Sequence, residues 1–561
     1  APTPVEGGPV SARVRDVKLG ELDRLLPRAD IAVALAAPEA PEGALFGDAS
    51  EWMFAVCAPG GDVLTGRCAG AEEVVDALGT RPVVAHEAKN LGKVPQLAHD
   101  TEVAAYLLEP ARRAYPFREL VEERGFSTDL VGVAGDALLM HQLAQWQREE
   151  IRGRGLVELL ETIELPLIHI LRAMELVGLK LDVTRLGAIS ERVRAEAGQL
   201  ESEIFELAGE EFTLGSPQQL GAVLFEKLGL SRKRRGKTGY STDARVLQAI
   251  RGEHPIIAKI ERWRELTKLA QTYLDALPLE ISPADGRIHT TLNQTAAATG
   301  RLSSNNPNLQ NIPVRTELGR EIRACFVPEE GNVLVSADYS QVELRLLAHI
   351  AGEDVLKDIF RAGDDVHSAT AMRVFGVTED GIDPGMRSKA KMINYGIVYG
   401  LSAYGMADRL DIPQEEADDF IKRYLAGFPA VGRFIEETIA SGTDLGYVST
   451  LLGRRRQVPE LRARRWELRK QGERFAVNMV IQGTAADIMK IAMVRADKAL
   501  AASGLRSRMV LQIHDELLFE GPADEADAVR DLAVEAMTGA FEMDPPLAVE
   551  AGIGTDWLNA K

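Results

Sequence analysis

Three short stretches carry residue types that can do chemistry on a phosphate. In NVLVSADYSQVELRLLAHIAG (332–352) an apolar run ends at Asp338, and a pattern of helical period begins at Val342. A carboxylate at a strand end, beside the turn into a helix, is placed to hold a metal over a cleft. Taken alone, an acid near a helix start serves equally well as a cap. In RMVLQIHDELLFEG (508–521) an alternating pattern runs into His514, Asp515 and Glu516 and then resumes, which describes a hairpin with acids near its tip. Acids at a turn are ordinary turn chemistry. Asp338 and Asp515 together are more specific, because two strand-end carboxylates can bridge paired Mg²⁺ ions about 3.5–4 Å apart.

The third stretch, MRSKAKMINYGIVYG (386–400), sets Arg387, Lys391, Tyr395 and Tyr399 at intervals of four. Each step drifts about 40° on a helix of 3.6 residues per turn, so the four share one broad side. Two cations followed by two aromatics suit a triphosphate and then a base. Cations neutralise phosphate charge, and rings stack on a base or pack on a sugar. An ordinary helix with a solvated basic end shows the same pattern.

Elements must position these residues, and the chain has ample material for them. Its 561 residues exceed one ordinary domain, and 45% hydrophobic with 27% charged residues read as soluble and globular, with real cores. No apolar run approaches a bilayer span of about 20 residues, and charges interrupt each candidate. The opening APTPVEGGPV has no secretory-signal pattern and no starting methionine, as expected of a truncated or processed chain. Cys57, Cys68 and Cys325 form no metal-ligand pattern and cannot all pair, so they read as reduced thiols in or near cores.

The formal net charge of −19 by itself argues against a nucleic-acid partner. Binding depends on local charge placement, however. Two basic runs stand out, SRKRRGK (231–237) and GRRRQVPELRARRWELRK (453–470), and a solvated face explains either run taken alone.

Residues 1 to about 155 show short apolar runs broken by turns. IAVALAA (31–37) and WMFAVCA (52–58) read as strands, the second meeting DVLTG across a Pro-Gly-Gly turn, and AEEVVDALG (71–79) reads as a helix ending at glycine. From about 156 the character changes to long amphipathic helices such as 156–178 and 186–209, with run 231–237 in a loop between two of them. Strand signals return around 332 and 508.

DYSQVELR, R-x3-K-x3-Y-G-x2-YG and IHDE, in that order, resemble motifs A, B and C of the family A DNA polymerases. TGRLSSNNPNLQNIPVR (299–315) and QGTAADIMK (482–490) resemble further stretches of the bacterial DNA polymerase I group within that family. The resemblance is strong over roughly 160–561 and weak before it. It implies an α/β and α+β multidomain fold. A ribonuclease-H-like, exonuclease-type domain (1–155) precedes a right-hand polymerase (156–561), with thumb about 185–275, palm about 276–350 and 471–561, and fingers about 351–470. It also implies a large fragment without the 5′-nuclease domain.

Carried over residue by residue, the resemblance makes Asp338 and Asp515 the carboxylates that hold two Mg²⁺ ions, with Mn²⁺ able to substitute. Glu516 supports that site less directly. Arg387 and Lys391 grip the incoming triphosphate, with Lys391 donating a proton to pyrophosphate, and His367 lies near the phosphates. Gln341, Tyr395 and Tyr399 complete the nucleotide site. Glu343, packed against Tyr395, is the steric gate against a ribose 2′-hydroxyl. Many relatives carry phenylalanine where this chain has Tyr395, which leads us to expect ready use of dideoxynucleotides. Arg301 and Gln482 read the minor groove, whose acceptors recur in every base pair. Arg474, Asn478 and Gln482, spaced by four, turn one helix face to the duplex, with Arg315 and His514 also on DNA. The thumb run containing Lys233, Arg234, Arg235 and Lys237 is expected on the duplex backbone. Run 453–470 is left between a single-stranded template path and a solvated face. The partners implied are a DNA primer-template and deoxynucleotides, with a monomer acting in the bacterial cytoplasm at the nucleoid, in repair and gap filling, and no membrane.

HDTEVAAYLLEP (99–110) resembles the proofreading exonuclease of relatives, which needs four acids around two metals. The acid-x-acid of its first strand is replaced by VALAA at 33–37, the second site offers Asn90 or Leu91, and the tyrosine expected four residues before Asp136 is Gly132. The expectation is a domain kept for structure, without proofreading. Two rivals are an editing nuclease, undercut by those missing acids, and a catalytically silent DNA-binding scaffold, opposed by the intact Asp338, Asp515, Arg387 and Lys391.

Overall fold

The computed structural model describes residues 7–38, 51–231, 235–236, 239–314, 316–410 and 412–561. Lys233, Arg234, Lys237 and Arg315 lie outside the described residues, and of Arg235 only the backbone is described.

The N-terminal unit is built on a six-stranded sheet in the order Val14–Asp16, Val63–Cys68, Trp52–Cys57, Ile31–Ala36, Val83–Ala85, Leu97–Asp100. Trp52–Cys57 runs antiparallel to both neighbours, and the remaining pairs are parallel. Its central strands read as continuous apolar runs because both faces are covered. Ala32, Ala34 and Cys57 face the helix Gly132–Gly153, while Ile31, Val33 and Phe54 face a second core shared with Val74 and Tyr106. The expected strands, hairpin and helix (Ala71–Leu78, closed by Gly79) are all present.

The stretch 156–178, expected as one helix, is divided. A single turn Val157–Leu159 leads through a π turn, Leu160–Glu164, into the helix Leu165–Val177. Pro166 lacks an N–H and so sits in the first turn of the second helix, where none is needed, and the wide turn absorbs the mismatch.

Helix Val183–Ala208 begins at Asp182, whose side chain accepts from the Arg185 amide, and packs along Ile256–Leu269. Beyond them Ile204, Leu220, Phe225 and Ile257 form a small separate core. Where run 231–237 was expected to be a loop, Arg235–Gly236 pairs with Gly239–Tyr240 in a short antiparallel ladder.

The central sheet is fully antiparallel, in the order Arg508–Ile513, Glu516–Pro522, Asn332–Tyr339, Val549–Gly554. Strand alternation decides which residues reach which side. Val335, Ala337 and Tyr339 enter the large core with helices Thr484–Ser503 and Ala526–Thr538. Leu334, and with it Ser336 and Asp338 at steps of two, belongs to the opposite face.

Six helices follow the 332–351 strand and helix: Asp354–Ala362, Val366–Phe375, Pro384–Val398, Ala403–Leu410, Gln414–Gly427 and Pro429–Leu445. The chain returns through Trp466–Asn478, a π turn Met479–Gly483 and Thr484–Ser503, a continuous 38-residue helix. Contrary to the expectation from sequence, this helix is long and apolar enough to cross a bilayer. Its most apolar window is 78% buried inside the protein, as in a core helix. Its buried charges, Asp487 and Lys490, are paired internally. Buried Glu164 meets Lys490 (2.8 Å) and Arg454, and Arg454 Nε donates to Asp487 (2.7 Å). Glu164 is held low, to about 2, because Lys490 and Arg454 outweigh its burial.

The two units share more than a boundary. Tyr106 donates to the Ala297 carbonyl (2.7 Å), Gln457 to that of Leu108 (3.0 Å) and Arg455 to that of Arg154 (2.7 Å). Cys57, Cys68 and Cys325 are free and buried.

Candidate active site

Asp338 is the penultimate residue of its strand, and its Cα partner across the ladder is Glu516. On the other side it is paired with Glu550, so three carboxylates lie in a row across the sheet. Asp515 forms the hairpin tip with His514, and its carbonyl accepts from the Tyr339 amide at 3.0 Å, beside Asp338. The backbone bends sharply at both exits, with Gln341 (φ 54°) and His514 (φ 51°) in the left-handed region. Non-glycine residues there cost of order 1–3 kcal/mol and persist where the surroundings enforce them.

Burial raises the Asp338 carboxyl above its ordinary value, opposed by Lys561. Burial lifts Asp515 to about 7, against the pull of Arg301. Glu516 is fully engaged, accepting from Ser336 (2.8 Å) and the Trp557 indole (3.1 Å). Lys561 places its ammonium 2.8 Å from Asp338 and 3.2 Å from Glu516. This side chain was not foreseen, since no pattern marks it in sequence. Its ammonium pairs Asp338 with Glu516 rather than with Asp515. No group of three or more His, Cys, Asp or Glu gathers as a metal cage among the described residues. Mg²⁺ held by one or two carboxylates and completed by substrate phosphates and water needs none, so Asp338 and Asp515 fit that ion.

Glu343, in the first turn of helix Val342–Ala351, is 4% exposed and links the sheet to the helices beyond. It accepts from Arg301 (2.6 Å) and from the Tyr399 hydroxyl (2.9 Å). Tyr399, four residues beyond Tyr395, supplies this hydroxyl. Tyr399 itself lies just past the end of helix Pro384–Val398, so only Arg387, Lys391 and Tyr395 are helical. The Tyr395 and Tyr399 rings stack with centroids 6.2 Å apart.

Lys391 is exposed and makes no ion pair among the described residues. Arg387 is held by a fork on Asp365 (2.6 and 3.1 Å), which also caps helix Val366–Phe375. His367 is buried beside Tyr395, its Nδ1 3.0 Å from Asn394, and burial lowers it to about 4, so the imidazole is neutral at pH 7. A neutral, enclosed His367 can offer phosphate a hydrogen bond but no charge.

Arg301 reaches Glu343 from a loop whose shape depends on Gly300 (φ +89°), where a Cβ would meet Arg454 Nε at 2.8 Å. Gly300, Arg301, Gln512, His514 and Asp515 line one small pocket. Arg474 is exposed, and its Cα lies 3.0 Å from where a Gly400 Cβ would stand. Asn478 and Gln482 are half-buried, and the Asn478 Oδ1 has no hydrogen-bond partner. Gln482 falls in the π turn, whose wider pitch alters the drift expected from a spacing of four.

In the N-terminal unit Val33 is buried, Asn90 donates to Glu87 (2.8 Å), Leu91 is in the core, and Asp136 is paired with Arg118 (2.5 Å). None of these side chains combines with others into a cluster of acids.

A sheet ending in paired carboxylates, faced by a helix of cations and aromatics and flanked by two long packed helices, defines a palm, fingers and thumb. The chain belongs to DNA polymerase family A, whose family model matches residues 183–559. It is 50% identical over 466 residues to the thermostable DNA polymerase I of Thermus thermophilus, covering 82% of this chain and 55% of that one. It is 42% identical over 452 residues to DNA polymerase I of Bacillus subtilis, covering 80% and 50%. The chain thus spans about half the length of the curated relatives it matches. Among solved structures, the POL domain of Pol1 from M. smegmatis, in complex with DNA primer-template and dNTP, superposes with a TM-score of 0.88 at 35% identity. That match covers 98% of this chain and 100% of the other.

Proposed function

We propose that this chain is a DNA-templated DNA polymerase that extends a primer 3′ end by nucleotidyl transfer at Asp338 and Asp515. The observation that carries the reading is the meeting of these acids at one end of the sheet, with Glu343, in the helix that follows Asp338, bonded to Tyr399 at the end of the helix of Lys391 and Tyr395. In the reaction the primer 3′-oxygen bonds to the α-phosphorus of the nucleotide, and the bond from that phosphorus to pyrophosphate breaks. Two Mg²⁺ ions, held by Asp338 and Asp515, would supply activation of the hydroxyl and neutralisation of the leaving group.

The chain's own residues do the positioning. Lys391, exposed and without an ion pair among the described residues, meets the triphosphate and supplies a proton to pyrophosphate. Arg387 exchanges Asp365 for phosphate as the nucleotide enters. Glu343, fixed from two sides, fills the space a ribose 2′-hydroxyl needs. Arg301 and Gln482 donate to minor-groove acceptors, which report pair shape without reading sequence. Lys561, paired with Asp338 and Glu516, balances part of their charge. Among the described residues of 1–155 no group of acids gathers as a metal cage, and the reading includes no proofreading. The enzyme would act as a monomer on primer-template DNA in the bacterial cytoplasm, in repair and gap filling.

An end-labelled primer on a longer template, with Mg²⁺, tests this. Lengthening with deoxynucleotides and no shortening without them is expected. Asp515→Ala should abolish extension and leave DNA binding intact. A primer unchanged in both lanes for the natural protein would return the silent scaffold. Shortening that persists in Asp515→Ala would restore the exonuclease.

A further inference from the structure

The basic run 453–470 does not behave as one surface. Arg454 is fully buried on Glu164 and Asp487, Arg455 lies over the Tyr447 ring (4.6 Å), and Arg456 lies over Phe475 (4.2 Å). Arg462 is tied to the carbonyls of Thr443 and Asp444. These four serve the fold. What remains is an exposed patch at the start of the long helix, Arg464, Arg465, Trp466, Glu467, Arg469 and Lys470, in which Arg465 is paired with Glu467 (3.8 Å) and Lys470 with Glu473 (2.7 Å). Arg464 and Arg469 make no ion pair among the described residues. Trp466 is 60% exposed, a large apolar ring left in water among cations.

Trp466 and Lys470 share a helix with Arg474, Asn478 and Gln482, at successive intervals of four. Each step drifts about 40°, so Trp466 stands about 80° round the helix from Arg474 and the series winds round it. At 1.5 Å per residue the tryptophan sits roughly 24 Å from Gln482 and about 12 Å from Arg474. Its end of the helix packs on Pro429–Leu445 and lies toward the fingers, away from the carboxylates.

We infer that Trp466 is a stacking platform for the unpaired template strand, with the neighbouring arginines and Lys470 holding its phosphates. The inference rests on the polymerase reading above. Template that has not yet been copied carries bases without partners, and an exposed indole offers them a face. Cations beside an aromatic are the combination that binds single strands without regard to sequence. In a chain of net charge −19, a local cationic patch marks where a polyanion is tolerated.

The test compares two ligands with the full chain by fluorescence polarisation: a primer-template with a long 5′ overhang, and the same duplex with blunt ends. Trp466→Ala should weaken overhang binding about fivefold or more, as loss of one stacked base predicts, and leave blunt-duplex binding within about twofold. Trp466→Phe should restore most of the loss. Equal weakening of both ligands would overturn the inference and make the residue structural. No change on either ligand would overturn it too, and would leave the patch to a protein partner. Extension across a minimal overhang should survive Trp466→Ala. Its survival together with its loss in Asp515→Ala keeps the polymerase reading separate from the fate of this one.

Discussion

At the residue scale, chemistry was legible wherever an unusual residue type stood at a regular spacing. Asp338, Asp515 and the Arg387–Lys391–Tyr395 series fall where strand ends and helix period place them. Partners remote in sequence were invisible. Nothing in the sequence alone assigns Lys561 to Asp338, Asp365 to Arg387 or Tyr399 to Glu343, because each pair forms only when separate elements meet. Tyr395 carries the clearest prediction at this scale. Its hydroxyl can stand in for the missing 3′-hydroxyl of a dideoxynucleotide. Tyr395→Phe should therefore raise discrimination against dideoxynucleotides by about tenfold, the worth of one hydrogen bond to a charged group. Competitive incorporation on a single template measures it, and an unchanged ratio refutes the role.

At the element scale, period and punctuation gave the strands around Asp338 and the hairpin of Asp515 correctly. They failed at the π turns. Two of these, Leu160–Glu164 and Met479–Gly483, interrupt helices whose apolar pattern runs through without a break, and a third, Ala270–Leu274, closes one. A wide turn adds a residue without changing residue types, so periodicity alone does not reveal it. The charge pattern also misled, because Arg454 looks like surface and is 1% exposed. Arg454→Met should leave Glu164 with Lys490 and Asp487 with only the Thr450 hydroxyl, in a site closed to water. Breaking a buried pair from one side costs about 3–5 kcal/mol, so the urea midpoint should fall accordingly. A midpoint unchanged from the natural protein would mean the cluster relaxes or admits water.

At the scale of the whole molecule, one titrating group stands at the boundary between the two units. Glu102, in helix Thr101–Leu108, accepts from Thr295 across the boundary (2.9 Å) and is raised to about 7, chiefly by burial and then by Asp100. A carboxyl raised on folding keeps its proton after the unfolded chain has lost its own. Stability therefore declines as pH rises from about 4.5 to about 7 and stays reduced above. Glu102→Gln keeps the acceptor and removes that cost. The variant should gain roughly 1–3 kcal/mol over the natural protein at pH 8 and match it near pH 4. Denaturant titrations at the two pH values decide it, and an equal gain at both would assign the effect to packing instead.

The bonds from Tyr106, Arg455 and Gln457 across that boundary have a bearing on descent. Residues 1–155 supply carbonyls, a tyrosine and part of a core on which the remainder closes. Deleting the whole segment at once would expose that core to water. A lineage with a shorter gene would first have to refill those contacts, one substitution at a time. Under that constraint a domain is kept for as long as its neighbour goes on leaning against it.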